Sequence, residues 1–209
     1  LPVKTYEVVP VEVDRHTRKL AQLTMDLLTA EGISLEKAIG QEGKGLGVAF
    51  EAISQLRKAL AAAKIPAMLD LVTECEEEGE PVLVFSYHRP PIDALADRPG
   101  WAVITGDTPA TARTLIEGEF QAGGLKGLGL TIQAGGTAMT LTRAHQAIFV
   151  DEAWTPALNE QAQDRLCRIG QTRGVIIKRL VAEGTLDERV AEILGEKQAI
   201  ISATVDAAR

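Results

Sequence analysis

Two arginines in the segment 161–171 are the residues of this sequence best suited to chemistry. The segment reads Gln-Ala-Gln-Asp-Arg-Leu-Cys-Arg-Ile-Gly-Gln, so that Arg165 and Arg168 stand three positions apart. On a helix this spacing places both guanidinium groups on one face, where they can converge on a single anion. A guanidinium is permanently charged and forked, which suits the charge that spreads over a phosphoryl group during its transfer. We expect Gln161 and Asp164 to hold the arginines; the plainer alternative is a helix with a salt-bridged surface.

Other motifs that could carry catalysis are incomplete. Around Lys44, Ala38 replaces the first glycine of a phosphate-binding loop and Gly45 replaces its final hydroxyl residue. The G-x-G-x-x-G fingerprint of dinucleotide-binding folds fails at Gly43 and again at Gly127. The sequence therefore predicts that this chain carries no nucleotide-binding loop of its own.

An acidic pair and the histidines could also carry chemistry, but neither forms a complete site. Asp151 and Glu152 resemble the pair that holds Mg²⁺ in nucleoside triphosphatases, yet that role needs a phosphate-binding loop upstream, so a turn at a strand end is the preferred interpretation. No G-x-S-x-G elbow of a hydrolase is present, and the histidines lie in unrelated segments: His16, His88 and His145. We expect neither a metal site nor a catalytic triad.

The composition is that of a globular protein with a substantial core. The chain has 209 residues, of which 45% are hydrophobic and 24% charged, and a net charge of −7. A chain of this length buries about 70% of its unfolded surface, and no apolar run approaches the roughly 18–20 residues of a membrane span. The acidic balance disfavours a uniformly basic nucleic-acid binder but leaves room for a local basic groove. Cys75 and Cys167 form no metal pattern, and we expect a soluble intracellular protein (cytoplasmic, nucleoid or nuclear) that is not secreted and is part of something longer.

Apolar periodicity and capping residues predict the secondary structure. Helices are expected over 14–31, 48–63, 67–78, 91–96, 109–120 and 156–167, with a glycine-rich break at 40–47 and a closing helix from Thr185. Strands are expected over 82–85, 101–105, 126–133, 147–151 and 175–181, and 3–13 is an edge strand or an extended linker. Because unalternated apolar strands separated by helices indicate a parallel sheet buried on both faces, we predict an α/β fold with a doubly wound parallel sheet.

Segment 161–171 resembles motif VI of the SWI/SNF-type ATPases, which are superfamily 2 DNA translocases. Other motifs of that family have counterparts in the same order: 81–86 (motif IV), 106–108 with Arg113 and Phe120, 134–136 with 141–142 (motif V), and the W-T-P run 154–156. The W-T-P variant resembles the annealing-helicase branch, and residues 1–4 resemble the junction where the second motor lobe begins. The resemblance implies an interlobe linker strand at 1–13, a helical appendage at 14–79 and a RecA-like helicase C-terminal lobe at 80–209.

On this resemblance the chain is the second motor lobe of an ATP-dependent double-stranded DNA translocase. ATP and Mg²⁺ would be bound mainly by an N-terminal RecA-like lobe of the same parent chain, so that the isolated chain is an inactive fragment of an ATPase. Arg165 and Arg168 would be the catalytic arginine fingers, with Gln161, Asp164 and Gly136 beside ATP. Contacts to the DNA backbone that do not read sequence are expected from strand-end loops: Ser86, His88, Arg89, Gly106, Thr108, Arg113, Gln133, Ala134, Gly135, Thr137 and Trp154.

Plainer interpretations of three of these residues stay open. Gly135 suits a tight turn, Arg113 suits a solvated helix surface, and Trp154 suits a buried anchor. The alternative function is a non-catalytic RecA-like module that binds nucleic acid or a protein without driving a motor. A self-sufficient small-molecule enzyme is disfavoured because the sequence lacks a nucleophile, a metal cluster and a cofactor loop.

Overall fold

The computed structural model describes residues 2–40, 47–136 and 139–195. Most of the predicted glycine-rich break, at 41–46, lies outside the described residues, as does the predicted site residue Thr137.

The strands of the described residues form one parallel sheet in the order β1-β6-β5-β2-β4-β3. Their bounds are β1 Lys4–Val11, β2 Val82–Ser86, β3 Trp101–Ile104, β4 Gly127–Thr131, β5 Gln146–Asp151 and β6 Val175–Ala182. The predicted α/β fold is confirmed, and the segment 3–13 is an edge strand that pairs with β6. β4 ends two residues before the predicted bound because Ile132–Gly136 turns into a short 3₁₀ helix.

Helices cover both faces of this sheet. Their bounds are α1 Arg15–Ala30, α2 Leu35–Gly40, α3 Val48–Ala63, α4 Ile65–Glu77, α5 Pro90–Asp93, α6 Ala110–Ala122, α7 Pro156–Gln163 and α8, residues 186–195. α4 and α5 pack against one face, where Met68 and Val72 belong to the same buried cluster as the strand residues Val82 and Val84. α6, α7 and the segment 139–144 pack against the other face. Burial on both faces explains why the strands read as unbroken apolar runs.

A third hydrophobic cluster lies at the carboxyl ends of β5 and β6. Residues of α1, α2, α3 and α8 pack there with Trp154, which follows β5, and with Ala182, the last residue of β6. Side chains from 14–79 therefore share clusters with the sheet, while the predicted domain bounds at 13/14 and 79/80 stay a prediction. Among the described residues, no helix has both the length and the apolar character needed to cross a membrane.

Candidate functional site

The predicted site residues lie mostly on loops at one edge of the sheet. In a parallel sheet all carboxyl ends meet at the same edge, which is where α/β proteins bind ligands. The loops after β2, β3, β4 and β5 carry His88, Thr108, Gln133 and Trp154, respectively. The fold therefore brings together segments that are separated by up to 66 residues in the chain.

Asp151, at the end of β5, organises the loop after β2. Its carboxylate accepts hydrogen bonds from the Ser86 hydroxyl and, at 3.1 Å, from the Tyr87 N–H, and its Oδ2 lies 2.5 Å from His88 Nδ1. Burial alone would raise the pKa of Asp151, but the hydrogen bonds from His88 and Ser86 hold it below its usual value. Ser86 itself is fully buried. It is therefore placed to hold the loop, whereas the His88 ring, 16% exposed, can reach outward.

Arg89 lies at the surface between the loops after β2 and β3. Its guanidinium donates to Asp93 at 3.1 Å and to Asp107 at 2.5 Å, and all three side chains are more than half exposed. Exposed ion pairs of this kind contribute little to stability. A phosphate could therefore replace either carboxylate at small cost.

Arg113 on α6 clamps the loops after β3 and β4 together. It donates to the carbonyl oxygens of Thr108 at 2.8 Å and Thr105 at 3.1 Å, and to that of Ala134 at 2.5 Å. A fourth bond reaches the carbonyl of Gly106 at 3.2 Å. These bonds show that Arg113 is not a solvated residue of a helix surface, so that alternative is wrong. A guanidinium has five N–H donors and can therefore bind several carbonyl groups that converge on it.

Arg57 of α3 is a member of the site that the sequence did not reveal. Its guanidinium lies 4.4 Å from the ring centre of Trp154 and 4.6 Å from that of Tyr87, and it donates to the Glu152 carbonyl at 3.1 Å. Burial lowers the pKa of Arg57. With His88, Gln133 and other residues, these groups line a cavity of about 270 Å³. Arg57 belongs to no recognisable sequence motif. It reaches the site because α3 packs beside the loops after β2 and β5, and this packing cannot be deduced from the sequence around Arg57.

Trp154 is a buried anchor, with 5% of its surface exposed. It packs in the cluster formed by α1, α2, α3 and α8, and Arg57 covers one side of its ring. Of the two sequence interpretations, the buried one describes its position. A DNA contact through Trp154 stays a prediction.

The helix that was expected to carry both arginines ends early, so the argument from a shared helix face is wrong. α7 stops at Gln163, and Arg165 and Arg168 lie in the turn that follows. Arg165, Leu166 and Cys167 are all buried. Successive helical residues point about 100° apart, so three consecutive buried residues do not fit the apolar stripe of a surface helix. Leaving the helix lets all three pack, and it leaves Arg168 exposed.

The turn at 164–171 is joined to the segment that follows β4. The Leu141 N–H donates to the Arg165 carbonyl at 2.9 Å, and Arg168 Nη1 donates to the Met139 carbonyl at 3.4 Å. The Gln171 amide donates to the carbonyls of Thr142 at 3.0 Å and Ala144 at 2.7 Å. These bonds bring together the segments that resemble motifs V and VI, with the backbone of Gly135 and Gly136 in the adjoining 3₁₀ helix.

The guanidinium of Arg165 is buried and incompletely paired. The residue is 5% exposed, and its Nη1 has no hydrogen-bond partner among the residues that the structure describes. Burial, followed by the positive charge of Arg113, lowers the pKa of Arg165. Asp164 was expected to hold the arginines, but the structure pairs it with Lys4 at 2.9 Å, and no contact between Asp164 and either arginine is found among the described residues. Gln161 is exposed, and no contact between it and either arginine is found within the described ranges.

Comparison with known proteins identifies the family. The chain matches the helicase conserved C-terminal domain over residues 63–170. It belongs to that family. Two relatives place it among SNF2-type proteins. It is 36% identical over 138 residues to the SNF2 domain-containing protein ENL1 of Oryza sativa subsp. japonica. It is 31% identical over 192 residues to the SWI/SNF-related matrix-associated actin-dependent regulator of chromatin subfamily A-like protein 1 of Xenopus tropicalis.

These alignments cover most of this chain but little of the relatives. They span 63% and 84% of the chain and 14% and 20% of the respective relative. The solved Sulfolobus solfataricus SWI2/SNF2 ATPase core in complex with dsDNA has the same fold, with a TM-score of 0.70 at 21% identity over 96% of this chain and 45% of that one. The chain is thus a SNF2-type helicase C-terminal lobe, and the predicted RecA-like architecture is confirmed.

Proposed function

We propose that this lobe is the second half of an ATP-driven double-stranded DNA motor. ATP and Mg²⁺ would be held mainly by a first RecA-like lobe of the same parent chain, and this lobe would supply Arg165 and Arg168 across the cleft. The observation that carries the proposal is the buried Nη1 of Arg165, which has no partner within the described part of the chain and lies three residues from the exposed Arg168.

The residues of the turn fit a polyphosphate. A buried polar group without a partner costs about 1–3 kcal/mol, and more when it is charged, so native structures nearly always pair such groups. A phosphate oxygen would supply a partner for Arg165 Nη1, which has none in the described ranges. Arg168, which is exposed and donates to the Met139 carbonyl at 3.4 Å, would meet the same group from the solvent side. The backbone of Gly136 lies in the 3₁₀ helix at the start of the segment that contacts this turn. We therefore assign Arg165, Arg168 and Gly136 to ATP binding.

The chemistry that follows is electrostatic. ATP supplies the phosphoryl group, and the arginines stabilise the negative charge that develops on its oxygens, an effect worth about 10³–10⁵ in rate. Since the arginines reach the phosphates only when the two lobes are closed, turnover is coupled to closing and opening of the cleft. The isolated lobe is expected to have no ATPase activity.

The second role proposed for the lobe is to hold the DNA backbone. His88 and Gln133 line the 270 Å³ cavity at the carboxyl edge, and Arg89 is exposed beside it. Cations and backbone N–H groups contact phosphates without reading base sequence, as a translocase requires. The relative from Sulfolobus solfataricus, solved with dsDNA, supports this assignment, and a protein that acts on DNA would work in the nucleus or the nucleoid.

The first prediction tests the arginine role in the full-length protein. Arg168→Ala should lower kcat for DNA-stimulated ATP hydrolysis by about 10³-fold or more, because transition-state charge is left unbalanced, while DNA affinity stays within about threefold. Steady-state ATPase assays and DNA-binding titrations measure the two quantities. Arg189→Ala, an exposed arginine on α8, is the matched control and should retain turnover.

Two results would contradict the proposal. Normal turnover in the Arg168→Ala protein would remove the finger role. DNA binding without any ATP turnover in the unmutated full-length protein would favour the alternative, a non-catalytic binding module.

A further inference from the structure

Strand β1 lies against the end of α7, next to the turn that carries the arginines. Lys4 Nζ contacts Asp164 Oδ1 at 2.9 Å, and the Tyr6 hydroxyl donates to Gln163 Oε1 at 2.9 Å. The Cys167 thiol lies 3.5 Å from the carbonyl oxygen of Pro2. The three partner positions 163, 164 and 167 bracket Arg165 in the sequence.

The Tyr6–Gln163 bond is held from both sides. Gln163 is 4% exposed, so its amide oxygen has little access to water if the hydroxyl is removed. The Tyr6 ring is fixed by the guanidinium of Arg179, which lies 4.8 Å from the ring centre and belongs to the neighbouring strand β6. A tyrosine hydroxyl is protonated at neutral pH and so can donate, and burial raises the pKa of Tyr6 further.

The Lys4–Asp164 pair adds a charged contact at the same place. Burial lowers the pKa of Lys4, but the hydrogen bond and the charge of Asp164 outweigh it, and the net direction is upward. The Asp164 side chain is 57% exposed, so the pair contributes little to global stability. The ion pair instead affects geometry, because it holds Asp164, the first residue after α7, in position.

Fixing this turn matters because the helix no longer does so. Beyond Gln163 the regular helix gives way to turns, in which Leu166 N–H donates to the Gln163 carbonyl at 3.0 Å and Cys167 N–H to the same carbonyl at 3.1 Å. The position of the Arg165 side chain therefore depends also on contacts made by its neighbours. Bonds of Leu141 and Gln171 join the turn to the segment after β4, and bonds of Lys4 and Tyr6 join the end of α7 and the turn to β1. A displacement of about 1 Å at a catalytic group can cost about 100-fold in rate.

We infer that Lys4 and Tyr6 are positioning residues for Arg165 and Arg168, fastening the first strand of the lobe to the arginine turn. The inference rests on the proposed ATPase function. Since the segment that resembles the interlobe junction, residues 1–4, ends on the first residue of β1, movement of that junction would be transmitted through these contacts to the arginines.

The test is a charge exchange in the full-length protein. Lys4→Asp and Asp164→Lys should each lower the kcat of ATP hydrolysis by about tenfold with little change in KM, because the arginines act in the transition state. The Lys4→Asp/Asp164→Lys double variant should recover to within about threefold of the unmutated protein, since the pair is restored with reversed polarity. Tyr6→Phe should lower kcat by about three- to tenfold, while Thr5→Ala, an exposed neighbour on the same strand, should not.

The outcomes separate this inference from the proposed function. Unchanged kcat in the single variants, or a double variant no better than the worse single one, overturns the positioning role even when Arg168→Ala is inactive. A loss of kcat that only follows the loss of folded protein, measured by urea unfolding, also overturns it. Normal turnover in Arg168→Ala instead refutes the ATPase proposal itself.

Discussion

His145 is a buried, titratable side chain away from the candidate site. It is 6% exposed, its Nδ1 has no hydrogen-bond partner among the described residues, and the Glu80 Oε2 oxygen lies 3.5 Å from that nitrogen. Burial, followed by the charge of Arg173, lowers the pKa of His145. The folded protein thus binds a proton here less tightly than the unfolded chain, in which the pKa of a histidine is about 6.5.

The sign of this shift predicts how stability depends on pH. As the pH falls through about 6.5, the unfolded chain takes up a proton that the folded protein does not, so the free energy of unfolding decreases. His145→Gln should reduce the decrease between pH 7.5 and 5.5, measured by urea unfolding at each pH. An equal slope in the His145 variant would contradict the prediction.

Several polar side chains of the site bind backbone groups, which their residue types alone do not indicate. Arg113 and Gln171 come from segments that resemble family motifs, yet both act by donating to carbonyl oxygens of neighbouring loops. Sequence reasoning located these residues but not their contacts, because a donor's partners depend on where loops meet in space. Arg57 was missed altogether for the same reason.

The strands could be predicted closely from sequence, whereas some helix ends could not. Runs such as 82–85 and 147–151 are apolar because both faces of the sheet are covered, and this signal is local. The end of α7 depends instead on whether Leu166 and Cys167 find partners on the sheet, which is a tertiary effect. The same effect separates Arg165 from Arg168 and decides which of them is exposed.

Close packing between β3 and β4 depends on a residue without a side chain. Gly127 lies opposite Trp101 in the strand register, and a Cβ on Gly127 would lie 2.4 Å from the indole ring. Trp101 is fixed in turn by a hydrogen bond of 2.6 Å from its indole N–H to Glu76. The ring therefore cannot move aside without breaking that bond.

A matched pair of glycine substitutions tests this packing. Gly127→Ala should lower the free energy of unfolding by about 2–3 kcal/mol, as overpacking does. Gly118→Ala, on α6 with nothing within 4 Å of the added Cβ, should raise it by about 0.5–1 kcal/mol through helix propensity. Urea unfolding measures both changes. Equal changes in the free energy of unfolding for the two variants would contradict this prediction, because the added methyl group at position 127 would then be accommodated beside Trp101 without destabilising the fold.

The helices of residues 14–79 and the sheet are tied together by more than apolar contacts. Lys64, between α3 and α4, is 1% exposed and donates to the carbonyls of Val150 at 3.0 Å and Leu180 at 2.9 Å. It also pairs with Asp187 on α8. One buried cation thus joins β5, β6 and two helical segments, and breaking such a site leaves buried charge without a partner.

Cooperative unfolding of the described lobe follows from this arrangement. The two tryptophans of the sequence report on different parts: Trp101 packs with α4 and the sheet, and Trp154 packs with α1, α2, α3 and α8. In Trp101→Phe and in Trp154→Phe, the fluorescence of the remaining tryptophan and the far-ultraviolet circular dichroism should change at the same urea concentration. An earlier fluorescence transition in Trp101→Phe would instead identify residues 14–79 as a unit that unfolds separately.

The register of the outermost strand has a consequence for biosynthesis. Lys4 faces Val175, so β1 leaves the ribosome about 170 residues ahead of its only partner in the described sheet, a delay of roughly 10–30 s at ordinary translation speeds. Throughout that interval the strand carries the apolar residues Tyr6 and Val8 with its hydrogen-bonding groups unpaired. Pro10, which has no N–H to donate, shortens the run available to a neighbouring nascent chain.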